Sequence, residues 1–303
     1  MATYTQKDRA FKIETVLGPD KLLLEGFSGQ ERISQPFQYV AELVSQDKAV
    51  DPLDLLRTPV TLSLKLPDGS YRPFHGLINR FVQLEYADEL TGYEAEVVPW
   101  LWFLSLTADC RIFQQKSVLE IVEEIFSKYS EADFQIKCVG TYGPRNYCVQ
   151  YRETDLNFIS RLLEEEGIFY FFVHSESGHK LVLVDDTSMI QSCPARSTFQ
   201  VAATPEATLQ EGVITDLRRE HVVNPSRVTL RDYDFLQPAN TLHATQGSDK
   251  QGELYDYPGE YVDLDLGERY ANLHLQEQTA GHEAVRGAGS CRTMATGFKF
   301  QLE

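Results

Sequence analysis

Three histidines, His75, His174 and His179, carry the only kind of side chain whose ordinary pKa lets it exchange a proton near neutral pH. His75 lies between Phe74 and Gly76 in an apolar, strand-like context. A hydrogen-bonded structural histidine is the expectation there, since no partner motif accompanies it. His174 and His179 flank a predicted hairpin turn, where exposed histidines are common. Glu164, Glu165 and Glu166 run directly into Gly167. Neighbouring carboxylates on a helix point in different directions, so the run makes no paired acid–base site. It reads as a solvated face or as ion-pair partners, with Arg161 one turn earlier. The five cysteines, Cys110, Cys138, Cys148, Cys193 and Cys291, are odd in number, scattered and without a C-x-x-C pair. Cys138 and Cys148 have no histidine near them at zinc-ligand spacing. There is no G-x-S-x-G elbow, no H-E-x-x-H, no phosphate-binding loop and no dinucleotide fingerprint. Gly287, Ala288, Gly289 and Ser290 resemble a glycine-rich turn, but they follow no convincing strand and suggest no phosphate cradle. The residues therefore predict no catalytic group, no metal site and no cofactor.

The elements that would position these residues are legible from periodicity. From Tyr147 to Phe172, an aromatic strand entry leads into a charged helix, a glycine and a run of aromatics. Thr154 is placed as N-cap, with Asp155 in the first turn where the helix dipole favours negative charge. Leu156, Ile159 and Leu163 recur on one face, widened by Phe158 and Leu162. That face should be buried, with Asp155, Glu164 and Glu165 exposed. Gly167 sits where a terminal glycine stops a helix, and Ile168 to Val173 then reads as a strand. Upstream, Val60, Leu62, Leu64 and Leu66 alternate with Thr61, Ser63 and Lys65, the pattern of a half-buried strand. Pro67, Asp68 and Gly69 signal a turn, and Tyr71 to Val82 returns as the partner. Phe37, Tyr39, Ala41 and Leu43 alternate likewise. Asp51 to Leu56 reads as one short helix capped by Asp51 and started by Pro52. Ser117 and Glu120 form a capping-box pattern ahead of the helical stripe Val118, Val122, Ile125 and Tyr129.

Downstream, Ser175 to Gly178 predicts a turn into Lys180 to Val184. Thr187 to Thr208 is read as irregular. Strands are predicted near Gly212 to Leu217 and Arg227 to Tyr233, a turn from Gly252 to Gly259, and a helix from about Gly267 to Gly281. Gly297 to Leu302 reads as a strand that begins and is cut off. The pattern gives a β-rich α+β chain. Two β-barrel-like domains, residues 1–108 and 186–303, bracket an α+β region at 109–185, and the second barrel is expected to be incomplete at its C-terminal end.

With 303 residues the chain is long enough for more than one domain, and its net charge is −17. That balance argues against nucleic acid, whose phosphates need a basic footprint, and against an anionic membrane surface. The N-terminal residues lack the apolar core of a secretory signal, and no apolar run approaches a membrane span. The cysteine usage fits folding in a reducing cytoplasm.

Five landmarks in order carry a resemblance. They are Leu17 to Phe37, Phe74 to Ile78 with its FHG core, Pro99 to Trp102, Cys110 to Gln114, and the long Tyr147 to Phe172 stretch. Together they resemble the N-terminal part of the valine-glycine repeat protein G (VgrG) family, the spikes of type VI secretion. That part is similar to the baseplate hub and late-control proteins of contractile phage tails. The resemblance implies two related tube domains per subunit, a homotrimer in the full-length protein, and docking on the hexameric Hcp tube. It also implies effector or adaptor partners, and delivery from the cytoplasm through the type VI machine to the outside or to a target cell. In that family the tube domains are followed by further strands, an OB-fold and a needle, so a fragment is expected. A phage baseplate hub is the alternative within the class. A hydrolase or toxin is the alternative from another class; it would need a pocket gathering several of His75, His174, His179, Cys148 and the acidic residues.

Overall fold

The computed structural model describes residues 4–87, 89–202, 211–248 and 250–303. The part of the Thr187 to Thr208 stretch at 203–208 lies outside them. The first six strands are β1 (Phe11–Thr15), β2 (Leu23–Gln30), β3 (Gln38–Ser45), β4 (Pro59–Lys65), β5 (Tyr71–Ala87) and β6 (Leu90–Val98). They form one antiparallel sheet in the order β1-β4-β5-β6-β3-β2. Alternation places Ile13, Ala41, Leu43, Val60, Leu62, Tyr93 and Ala95 in its core. The two edge strands meet through one side chain. The Gln6 carboxamide oxygen accepts from Ile13 N on β1 at 2.8 Å and from Leu24 N on β2 at 3.4 Å, while its amide donates to Ile13 O at 3.1 Å. The Gln6 side chain thereby bridges the two edges of the sheet, whose strands do not pair with each other directly.

The turn at Asp68 forms as expected. Gly69 takes φ +87° and the Asp68 carboxylate accepts from Ser70 N at 2.9 Å. The short helix after Asp51 is a single 3₁₀ turn, Pro52–Asp54, with the Asp51 side chain accepting from Leu53 N. Strand β4 is not half-buried throughout. Thr61, on its predicted open face, is buried, and its hydroxyl donates to Glu176 O at 2.9 Å.

The cover over Thr61 comes from the elements that follow. These are β7 (Ala108–Phe113), α1 (Val118–Phe126), β8 (Phe134–Ile136), β9 (Cys148–Thr154), α2 (Asp155–Glu165), β10 (Phe169–Ser175) and β11 (Gly178–Val184). Helix α1 opens on the predicted capping box, with both reciprocal bonds between Ser117 and Glu120 present. Its apolar stripe is fully buried from Val118 to Phe126. Helix α2 starts where Thr154 Oγ1 accepts from Asn157 N at 3.1 Å. It stops where Gly167 turns to φ +70° and Ile168 N donates to Leu163 O at 2.8 Å, a Schellman closure. Ile159 and Leu163 are buried and Leu156 is half-buried. Asp155, expected in solvent, is 1 % exposed. Its carboxylate is enclosed by Arg111 Nη2, by Gln150 Nε2 at 2.9 Å and by the Tyr129 hydroxyl at 3.1 Å. A first-turn carboxylate can face inward when a cation and two donors satisfy it.

Strand β11 pairs in parallel with β8, so the β10–β11 hairpin and β8 form a three-stranded sheet with buried residues on both faces. Tyr170, Phe172, Leu181 and Leu183 join the main core, while Phe171, Val182 and Val184 cluster with Phe298 from the C-terminal segment. The six-stranded sheet, these elements and residues 292–301 make one compact unit.

The second unit comprises residues 199–291 with 165–167 and the last two residues. Strands β12 (Thr198–Val201), β13 (Val213–His221), β14 (Arg227–Asp232), β15 (Leu242–Gly247), β16 (Glu253–Asp256), β17 (Glu283–Gly289) and β18 (Gln301–Leu302) and helix α3 (Leu264–Ala280) belong to this part of the chain. They form two sheets, β17-β13-β12-β18 and β15-β14-β16. Helix α3 covers the second sheet, over Val228, Leu230, Leu242, Ala244 and Tyr261. Two sequence expectations are corrected here. Gly287 to Gly289 is strand, not turn: β17 pairs with β13 along its length, and a Cβ on Gly289 would lie 2.2 Å from Val213 O. The Gly252 to Gly259 stretch contains β16, which pairs with β14 in parallel. Glu166, read as solvated or as an ion-pair partner, is buried and does pair, with Arg269 Nη2 at 3.0 Å.

Candidate functional site

Strand parity brings the three histidines together. On β10, His174 has the parity of Phe172 and Tyr170; on β11, His179 has that of Leu181 and Leu183. His174 and His179 are direct cross-strand partners. His75, on β5, projects from the face of the six-stranded sheet that this hairpin covers. His75 and His179 are 8 % and 5 % exposed, and His174 is half-buried. The expectation of a structural, hydrogen-bonded His75 agrees with this geometry. The expectation of two exposed turn histidines does not: parity turns both rings inward, and the turn itself is only Glu176 and Ser177.

The hydrogen bonds fix the tautomers. His179 Nε2 receives the Trp100 backbone N–H at 2.9 Å. A neutral ring whose Nε2 accepts must carry its proton on Nδ1. His179 Nδ1 therefore donates to His75 Nδ1, 2.9 Å away. A parallel chain runs outward. The Tyr39 hydroxyl donates to Glu31 Oε1 at 2.7 Å, so its oxygen accepts from His174 Nε2 at 3.1 Å. His174 Nδ1 is then left to accept from His75 N at 3.2 Å. Glu31 lies 3.9 Å from Arg72. The Arg72 guanidinium stacks over Phe74 at 4.5 Å and donates to Arg292 O and Met294 O at 2.7 and 2.6 Å.

Burial sets the acid–base character. Desolvation lowers all three imidazoles, His174 to about 4 and His179 to about 2. The Glu31 carboxylate works in the opposite sense on His174. Burial, reinforced by Glu31, raises the Tyr39 phenol far above its ordinary range. The three imidazoles are thus neutral near pH 7. A groove of about 580 Å³, lined by Phe27, Glu31, Tyr39, Arg72, Phe74 and Phe298, opens its outer end to solvent.

The FHG signature acquires a physical reading from this arrangement. Phe74 supplies the ring beneath Arg72, and His75 joins the cluster. Gly76 lets the strands close, because a Cβ there would lie 2.8 Å from Val98 O and 2.5 Å from a Val97 methyl.

The other candidates stay apart from the cluster. Cys148 and Cys193 are buried, Cys110 is exposed, and all five cysteines are free thiols. Cys138 lies half-buried near Asp185, where burial and that carboxylate push its thiol up to about 11. Arg161 donates to Glu153 at 2.8 Å. Among the described residues no group of three or more His, Cys, Asp or Glu is arranged to hold a metal ion. The imidazoles bond one another, the Tyr39 hydroxyl and backbone groups of other elements, which is the arrangement of a polar clasp. Sequence reasoning put Tyr39 on one face of a strand with Ala41 and Leu43, where it is buried, but gave it no part in the cluster; it missed Glu31 and Arg72, which nothing local announces.

A model of the phage tail baseplate hub (GPD) family matches residues 30–303. The chain belongs to the phage tail baseplate hub family. This hub chain is also similar to the type VI secretion system spike protein VgrG1a of Pseudomonas aeruginosa. The two are 38 % identical over 302 residues, covering 98 % of this chain and 47 % of the relative. The chain thus spans about half the length of the curated relative it matches. Its fold resembles that of the E. coli c3393 protein, described as a type VI secretion component similar to the T4 tail proteins gp27 and gp5. That match has a TM-score of 0.71 at 20 % identity, and covers 96 % of this chain and 67 % of the other. A tail protein from Neisseria meningitidis matches with a TM-score of 0.66 at 9 % identity, over 97 % and 86 % of the two chains. The β-rich architecture expected from the residues is therefore that of baseplate hub proteins. No described helix is long and apolar enough to cross a membrane.

Proposed function

We propose that this hub chain is the tube-forming part of a type VI secretion spike. The observation that carries the reading is the 38 % identity to a spike protein across 98 % of the chain. The Neisseria meningitidis tail protein shares the fold at 9 % identity, far below the identity to the spike protein. In this reading the role is mechanical. The barrel of residues 1–108 and the sheets within 186–303 are the two tube domains, with 109–185 between them. Three subunits present six such domains to the hexameric Hcp ring. Effectors or adaptors ride on the assembly, and sheath contraction drives it out of the cytoplasm without stable membrane insertion. A rigid, symmetric part needs no catalytic group, so the chain is read as a non-enzyme.

Mass in solution tests the trimer. Light scattering should give three subunits for the longer spike protein. The 303-residue chain should be mainly monomeric at micromolar concentration, because the regions downstream of the tube domains would supply much of the interface. Obligate interfaces usually bury more than about 2,000 Å², and association must overcome several kcal/mol of lost rigid-body freedom. Three copies at −17 each also repel, so association of the chain should grow as salt is raised. A monomeric longer protein would overturn the proposal.

A further inference from the structure

The His75–His179 pair is built so that neither ring can accept a proton in place. Protonating His179 puts a hydrogen on Nε2, which already receives the Trp100 N–H. Protonating His75 on Nδ1 puts a hydrogen against the His179 Nδ1–H. Each event sets donor against donor inside the core, in a site walled by Phe37 and Phe172, whose rings lie 5.5 and 6.0 Å from His179. His174 differs. Its Nδ1 also lies 3.1 Å from His75 O, so a protonated ring there would have an acceptor.

We propose that the His75–His179 pair is an acid-sensitive latch that holds the β10–β11 hairpin against the six-stranded sheet and the Trp100 turn at neutral pH, and releases it when either ring is protonated. The titratable and charged groups facing the pair are few. From β10 comes His174, from β3 Tyr39, from the end of β2 Glu31 and from β5 Arg72. Glu31 and Arg72 pull in opposite directions on His174 and reach the pair only through it. The hydrophobic neighbours on the hairpin, Phe172, Leu181 and Leu183, add no charge.

The direction follows from linkage. Imidazoles held below their ordinary value contribute stability that is fully present above about pH 6.5 and is lost as the pH falls towards their folded values. The latch should therefore be closed at pH 7.5 and strained at pH 5. The groove beside Tyr39 and Arg72 gives water an approach to the cluster from the His174 end.

Hydrogen exchange on the intact chain tests this, after correction for the intrinsic pH dependence of exchange. Between pH 7.5 and 5.0, the β10 and β11 amides and those of residues 100–102 should lose protection by at least about tenfold, the equivalent of one pKa unit. The β4–β6 amides should not. H179Q, whose amide oxygen can still accept from Trp100 N but cannot titrate, should shrink the change to what His75 alone contributes. Independently of any variant, ring ¹⁵N shifts at pH 7.5 should show His179 protonated on Nδ1. Unchanged protection at pH 5.0, loss spread evenly over the barrel, an equal loss in H179Q, or a His179 protonated on Nε2 would each overturn the latch.

Discussion

Replacing Asp155 by alanine strips Arg111 of the buried carboxylate that it faces across the first turn of α2. The Gln150 amide and the Tyr129 hydroxyl lose the same acceptor. Removing one partner of a buried pair costs about 3–5 kcal/mol, and Asp109, 3.3 Å from Arg111, offsets only part of it. Urea unfolding should show that loss for Asp155→Ala. Glu153→Ala, which breaks a partly exposed pair with Arg161, should cost less than about 1 kcal/mol. Equal effects would mean that burial does not rank these pairs. Asp155 also marks where reading the residues stops. Its place in the helix was legible from Thr154 and the apolar stripe, but its cation lies 44 residues away on another strand. The histidines teach the same lesson in reverse. The inward parity of His174 with Phe172, and of His179 with Leu181, was present in the sequence, but the turn between them drew attention to exposure instead.

At the scale of elements, local rules succeeded where the stabilising partners lie within a few residues. The capping box of α1, the glycine stop of α2 and the Asp68 turn are of this kind. Ser117→Ala should lower stability by about 1 kcal/mol through the lost cap. Gly167→Ala should lower it by about 1–2 kcal/mol, because a side chain is forced to φ +70°. Both follow from thermal or urea melts, and a neutral Gly167→Ala would show that the helix end can relax. Reading failed where pairing is remote. Strand β16 lies between Gly252 and Gly259 and β17 ends in Gly287, Ala288 and Gly289, so both stretches read as turns. They are strands because β14 and β13 supply ladders from distant parts of the chain. The glycines of β17 record close backbone approach, not a turn.

At the scale of the whole molecule, charge and family point the same way. A chain at −17 suits neither nucleic acid nor an anionic bilayer. Its family is that of baseplate hubs, and its long match is to a spike protein. The five ordered landmarks made the family legible in the sequence, and two of them sit at structural necessities, the Gly76 approach and the α2 cap. The central claim is that the protein leaves the cell on a contractile machine. Immunoblotting of culture supernatants measures this most directly, comparing the parent bacterium with one lacking the contractile sheath, and using a cytoplasmic protein as lysis control. The account predicts protein in the parent supernatant and its loss without the sheath, at unchanged cellular levels. Equal amounts outside the cell in both strains would contradict it.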